Sequence, residues 1–283
     1  MLRSTFLHLK GVGGKTERLL WQKGLTTWEA YAAAKSEQKA LFGAASFDAG
    51  LSESMAAYAR GDMEFFARTL PPAEYYRAAL EFPRDTLFLD IETTGLSVYY
   101  DSVTIVGWSM GGRYGVYING RDDRPLREAL AAAKVLVTFN GVLFDLKFLR
   151  VHFKDLATPP LHLDLRFFAK RVGLSGGQKA VEKAIGLARK TEIADMRGEA
   201  APALWRKYKW GDLEAMRRLI EYNHADVEGM KWILDACAER YAERKAIPEN
   251  VRKAPGFRNL TSRAAWAGSE EDYLIIPAFW REG

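Results

Sequence analysis

Cysteine is almost absent: Cys237 is the only one in 283 residues. A single thiol excludes an intramolecular disulfide and a cysteine zinc cluster, and it suits a reducing compartment such as the cytoplasm. Cys237 itself reads as a small apolar residue on a helix. Long apolar runs are missing too; nothing approaches the ~18 uninterrupted residues that would suggest a membrane span. The opening residues, Met1-Leu2-Arg3-Ser4-Thr5, lead into no long apolar stretch with a small-residue cleavage site, so no secretory signal is expected. Internal repeats and low-complexity tracts are likewise missing. The expectation is a cytoplasmic protein with no membrane partner.

Apolar residues make up 48% of the chain and charged residues 27%, enough for a packed core and too apolar for gross disorder. Its length accommodates one larger domain and a small one. The net charge is +5. The excess of cations is concentrated from Lys147 to Arg218, with Lys154, Arg166, Lys170, Lys179, Lys183, Arg189, Lys190, Arg197, Arg206, Lys207 and Lys209 among them. Such a stretch suits a polyanion, although any one of these residues is as well explained as a solvated helix face.

Periodicity divides the chain at the turn Pro83-Arg84-Asp85. Residues 1–82 read as a small all-α region, with helices after the caps Thr26-Thr27 and Ser52/Ser54 and another over Ala73–Leu80 beyond Pro71-Pro72. Residues 83–246 read as an α/β domain. Its strands are expected at Thr86–Ile91, Val103–Met110, Tyr114–Ile118, Val135–Phe139 and Leu161–Leu165, with a hairpin turn at Gly111-Gly112. Helices are expected at Pro125–Lys134, from about Leu143 to Phe153, and through most of the domain beyond Leu165. A meander followed by strand–helix–strand units implies a mixed sheet flanked by helices. Residues 247–283 form a C-terminal extension of weak periodicity.

Three short segments carry the chemistry. In Phe88-Leu89-Asp90-Ile91-Glu92-Thr93-Thr94-Gly95-Leu96, Asp90 and Glu92 lie two apart on a strand and so leave the same face. Two carboxylates at the end of an apolar strand are costly unless a cation neutralises them. In Thr138-Phe139-Asn140-Gly141-Val142-Leu143-Phe144-Asp145, a strand passes into a helix whose first turn holds Asp145, a position that helix electrostatics alone would favour. In Glu221-Tyr222-Asn223-His224-Ala225-Asp226-Val227, Tyr222 and Asp226 are neighbours on one helix face. His224 points ~200° away from Asp226 around such a helix, which suits a surface or supporting place.

At Asp90, Glu92, Asp145, Tyr222 and Asp226 the chain resembles the DEDD, or DnaQ-like, 3′→5′ exonuclease superfamily. The Tyr-x-x-x-Asp spacing is similar to its DEDDy branch, and the finer pattern of Phe139-Asn140-Gly141, Phe144-Asp145 and Tyr222-Asn223…Asp226-Val227 resembles the bacterial YprB-like family. The resemblance covers roughly residues 84–240. It implies a ribonuclease-H-like fold and a metal-dependent exonuclease acting on single-stranded nucleic acid. Asp90, Glu92, Asp145 and Asp226 would hold two divalent ions, and their oxygen donors favour Mg²⁺ or Mn²⁺. Tyr222 would orient or deprotonate the attacking water, which predicts a preference for alkaline pH. Thr93, Thr94, Gly95, Leu96 and Asn140 would receive the terminal nucleotide. Asp164 matches an auxiliary acid, and equally well a helix N-cap. A non-catalytic nucleic-acid-binding adaptor and a structure-specific endonuclease of the same fold remain the alternatives.

Two further segments invite a nucleic-acid reading. Gly11-Val12-Gly13-Gly14-Lys15-Thr16 lacks the first glycine of a nucleotide-binding P-loop, where Leu9 stands instead. It reads better as a helix-hairpin-helix in which Gly11, Gly13 and Lys15 contact phosphate, and that slightly favours DNA over RNA. A purely structural hairpin would have the same pattern. Trp205, Tyr208 and Trp210, interleaved with Arg206, Lys207 and Lys209, fit either base stacking or core packing.

Overall fold

The computed structural model describes residues 1–34, 44–189 and 200–260. Lys190, Arg197 and residues 261–283 of the expected C-terminal extension lie outside these. Five strands form: β1 (Thr86–Thr93), β2 (Val103–Met110), β3 (Arg113–Ile118), β4 (Val135–Thr138) and β5 (Leu161–Asp164). Their order is β3-β2-β1-β4-β5; the first three are antiparallel and the last two join in parallel. The hairpin between β2 and β3 turns on Gly111 and Gly112, both at positive φ, as a tight right-twisted hairpin requires.

The period of two along β1 sorts its side chains. Leu87, Leu89 and Ile91 enter an apolar cluster with Leu126, Leu130, Phe148 and Leu149. Those four come from α6 (Arg124–Ala132) and α7 (Asp145–His152) on that face. Phe88 enters the other cluster, and Asp90 and Glu92 share its face. Over that face lies α11, a 32-residue helix from Leu213 to Arg244 that begins on an Asp212 cap accepting from the Ala215 N–H.

The N-terminal region contributes α1 (Gly14–Gln22), α2 (Trp28–Ala32), α3 (Ala44–Arg60), α4 (Met63–Thr69) and α5 (Tyr75–Glu81). Its apolar residues run without a break into the cluster on the Phe88 face of the sheet. A buried polar knot ties it down: Arg77 bonds Glu74 and Glu17, Glu17 accepts from the Thr5 hydroxyl and the Phe6 N–H, and the Tyr241 hydroxyl of α11 donates to Glu74.

Several boundaries differ from expectation for local reasons. α3 starts well before the expected caps, so Ser54 is a helix-interior residue whose hydroxyl bonds back to the Gly50 carbonyl instead of capping. Of the helix-hairpin-helix only the second arm, α1, is an α-helix; the first is a 3₁₀ turn over Leu2–Ser4 followed by tight turns. β4 ends at Thr138 because the chain turns at Asn140, which takes a left-handed φ of 68°. β5 ends at Asp164, whose carboxylate caps α8 (Leu165–Arg171).

Candidate metal centre and active-site cleft

The parallel pairing of β1 with β4 covers only Thr86 to Phe88. Beyond Phe88 that edge of β1 is open, and α7 presents Asp145 there at its first residue, 4% exposed. Asp90 and Glu92 rise from β1, and Tyr222 and Asp226 descend from α11. Oxygens of Asp90, Glu92 and Asp226 lie within 4.8 Å of one another. Asp145 stands beside this trio rather than inside it.

Electrostatics show how tightly the acids are confined. Burial raises the Asp90 carboxyl well above its ordinary range, and the charges of Asp226, Glu92 and Asp145 raise it further. Glu92 is raised in the same way, by burial and then by Asp226 and Asp145. Asp145 is pushed up to about 7 by burial, while N–H donation from Asp145 itself and from Ile91 draws it partly back. Asp226 is raised by burial against the opposing pull of Arg189. Each carboxyl suppresses its neighbours' ionisation, which is the arrangement a multivalent cation relieves. An all-oxygen donor set of this kind fits hard divalent ions such as Mg²⁺ or Mn²⁺.

Supporting residues complete the centre. The Asn223 side chain, fully buried, donates to the Asp90 carbonyl (3.1 Å) and carboxylate (2.9 Å), and accepts from the Tyr114 hydroxyl (2.8 Å). It lies over Gly107, where a Cβ would sit 1.6 Å from the Asn223 Oδ1. Asn223 stood in the third motif without an assigned role; the glycine inside β2 was the signal of a close approach. His224 packs edge-on against Tyr114, a supporting position as expected.

On the far side of Asp226, Arg189 donates to its carboxylate and forks onto Glu182 of α9 (Gln178–Ala184). Gln178 donates to the Asp226 carbonyl, and the Lys179 Nζ stands 5.0 Å from the centre of the Tyr222 ring. No local pattern marks these residues, since they converge on the centre only through folding. Burial raises the Tyr222 hydroxyl above its usual range, and the Asp226, Glu92 and Asp90 charges add to this.

The centre opens into a cleft of about 560 Å³. Asp90, Asp226 and Tyr222 line it together with the cations Arg166 and Lys179, the Gly176-Gly177 turn, Phe139 and Asn140. Asn140 is held by Arg166, which donates to its side-chain oxygen at 2.6 Å. Asp164 accepts from the N–H groups of Asn140, Val142 and Arg166, so it braces the loop leading to α7 and caps α8. The N-cap is thus present, and the Asp164 charge also helps to raise Asp145.

The segment after Glu92 is built around a residue the motifs did not include. Asp101 accepts from the Thr94 hydroxyl and the Ser97 N–H, and its carboxylate fills the space a Cβ on Gly95 would need. Gly95 thus makes room for Asp101, where the sequence had suggested room for substrate. The Thr93 hydroxyl donates to the Gly95 carbonyl, while Leu96 is 86% exposed. Gly11, Gly13 and Lys15 are exposed at the start of α1 and do not line the cleft. Trp205 is buried and Trp210 is 86% exposed, so the basic-aromatic segment contributes one ring to the core and one to solvent.

The sequence profile of the RNase H superfamily matches residues 87–238, more than half of the chain and all five residues of the centre. The chain belongs to that superfamily. Among solved structures it is similar to the family B DNA polymerase from the hyperthermophilic archaeon Pyrobaculum calidifontis, with 17% identity and a TM-score of 0.42. That similarity covers 56% of this chain and 29% of the polymerase, so the chain spans well under half of that protein's length. No curated protein matches the sequence. No helix among the described residues is long and apolar enough to cross a membrane.

Proposed function

We propose that this chain is a metal-dependent 3′→5′ exonuclease acting on single-stranded nucleic acid, of the DEDDy type and closest to the YprB-like family. The observation that carries the reading is the trio Asp90, Glu92 and Asp226, converging within 4.8 Å beside an open cleft that Arg166 and Lys179 also line. The nuclease fold is that of the superfamily. The exonuclease activity and its polarity come from the motif resemblance, and the slight preference for DNA from the helix-hairpin-helix pattern at Gly11, Gly13 and Lys15.

Asp90, Glu92, Asp226 and Asp145 would hold two divalent ions. When bound, these supply an activated water and offset charge at the scissile phosphate. The protein's own part is positioning. Asn223 fixes the Asp90 carboxylate, and the Ile91 N–H steadies Asp145. Tyr222 keeps its proton at neutral pH in the acid-rich pocket, so its hydroxyl is a donor that orients water there and becomes a base only as pH rises. Lys179 and Arg166 offer cations to the phosphates of an incoming strand.

The test is digestion of end-labelled DNA and RNA oligonucleotides with Mn²⁺ or Mg²⁺, beside an Asp226→Asn control. Shortening from the 3′ end that the control loses is expected. Cutting of a circular single strand would identify an endonuclease instead, and intact strands throughout would leave the adaptor.

A further inference from the structure

A second surface has the composition of a nucleic-acid contact. α10 (Ala200–Lys209) turns Ala201 and Trp205 into the core, and its last turn leaves Arg206, Lys207 and Lys209 in solvent. Trp210 follows at 86% exposure. It is not loosely held: its N–H bonds the Arg206 and Lys207 carbonyls, Gly211 turns at a φ of 99° with its N–H on Tyr208, and the Asp212 N–H returns to Lys207. Of the described acids that follow in the chain, Asp212 caps α11 and Glu214 pairs with Arg217. Among the described residues, none of Arg206, Lys207 and Lys209 forms an ion pair. An exposed indole among three cations that pair with no acid among the described residues complements a strand that presents bases and phosphates together.

Its place in the fold is informative. α11 meets β1 at Asn223 and Asp90; twelve residues later its Asp235 braces Phe257, whose ring packs on Phe88. The helix therefore runs from the carboxylate end of β1 back toward its start. Leu213 lies nine residues before Tyr222, or about 13.5 Å of helix beyond the centre. The Trp210 turn thus projects past the catalytic end of the sheet, at a distance of about four stacked nucleotides at 3.4 Å each.

The geometry points to the Arg206–Trp210 turn as a docking site for the part of a single-stranded nucleic acid upstream of its reacting end, with a base stacked on Trp210 and phosphates on Arg206, Lys207 and Lys209. It rests on the reading of the chain as a nuclease, and it adds a binding site outside the cleft.

The test measures anisotropy of labelled oligothymidylate and oligouridylate with the full chain in EDTA, which separates binding from hydrolysis. Trp210→Ala weakens binding on the order of 10-fold, and Trp210→Phe restores most of it because stacking survives. The triple variant Arg206→Gln/Lys207→Gln/Lys209→Gln reduces the slope of log K against log salt by about 2, at roughly 0.7 per phosphate contact on a single strand. With Mn²⁺, hydrolysis of a dinucleotide, too short to reach the turn, is the same in all variants. Undiminished strand binding by Trp210→Ala, or an unchanged salt slope in the triple variant, overturns the proposal. A wild type that degrades strands while Trp210→Ala binds them equally well overturns this site alone. Trp210-dependent binding with every strand left intact keeps the site and removes the exonuclease reading.

Discussion

Replacing Gly107 with alanine tests how the centre is held, without touching a carboxylate. Gly107 sits in the middle of β2, paired with Asp90 on one side and Val116 on the other. An added methyl would lie 1.6 Å from the Asn223 Oδ1 and 2.5 Å from the Tyr114 hydroxyl, and the strand has neighbours on both edges. The amide must therefore leave its place. Asp90 then loses two hydrogen bonds, and the buried Tyr114 hydroxyl loses its acceptor. A hydrogen bond to a charged group contributes about 1.5–3 kcal/mol, and an orphaned buried hydroxyl costs about 1–3, so Gly107→Ala should destabilise by roughly 3–6 kcal/mol. Because supporting partners tune metal ligands, Mn²⁺ affinity should fall by about 10- to 100-fold. Thermal unfolding and calorimetric Mn²⁺ titration read the two effects. Asn223→Ala should weaken the metal similarly, and pairing it with Gly107→Ala should recover stability relative to Gly107→Ala alone, since the tightest clash is gone and only the Tyr114 hydroxyl must shift. Wild-type stability and affinity in Gly107→Ala, or a double variant no more stable than that single one, would refute the account.

Charge supplies the other predictions. Asp145 is raised to about 7 from 3.8, so between those values the folded state holds a proton the unfolded state has released. Stability of the metal-free protein therefore falls as pH rises from about 4 to about 7, by at most about 4 kcal/mol for this group. His8, lowered to about 4 by burial, acts in the opposite direction between about 4 and 6.5, so the readout is the difference from Asp145→Asn. That variant should show a flatter decline in EDTA, and identical profiles would count against the assignment. Tyr222→Phe should lower kcat on the order of 10²-fold and remove the rise in rate toward alkaline pH, with Mn²⁺ affinity retained; an unaltered pH–rate profile would exclude Tyr222 as the base. Arg77→Ala leaves Glu17 and Glu74 buried without their cation, and should cost about 3–5 kcal/mol in denaturant unfolding.

Much of the α/β region was legible because its signals are local. The period of two in β1, the Gly111-Gly112 turn and the apolar spacing of the later helices place five strands in order and put Asp90 and Glu92 on one face. The helix preceding Arg60 was harder, because Ser52 and Ser54 resemble caps wherever they stand, and only packing sends the Ser54 hydroxyl back to Gly50. The helix-hairpin-helix was half legible: its glycines mark the turn into α1, but nothing in Leu2–Ser4 signals that the chain there stays a 3₁₀ turn.

By itself the sequence determined which side chains can do chemistry here and on which elements they ride, since strand and helix periods are properties of neighbouring residues. Tertiary structure alone decided what surrounds them. It opened the edge of β1 beyond Phe88 so that Asp145 could reach Ile91, and brought Arg189 and Glu182 to Asp226 across the face of α11. It also set Asn223 against Gly107, a contact 116 residues apart in the chain. Burial, counter-charge and the cleft are properties of residues distant in sequence, and no local pattern encodes a distance that only folding creates.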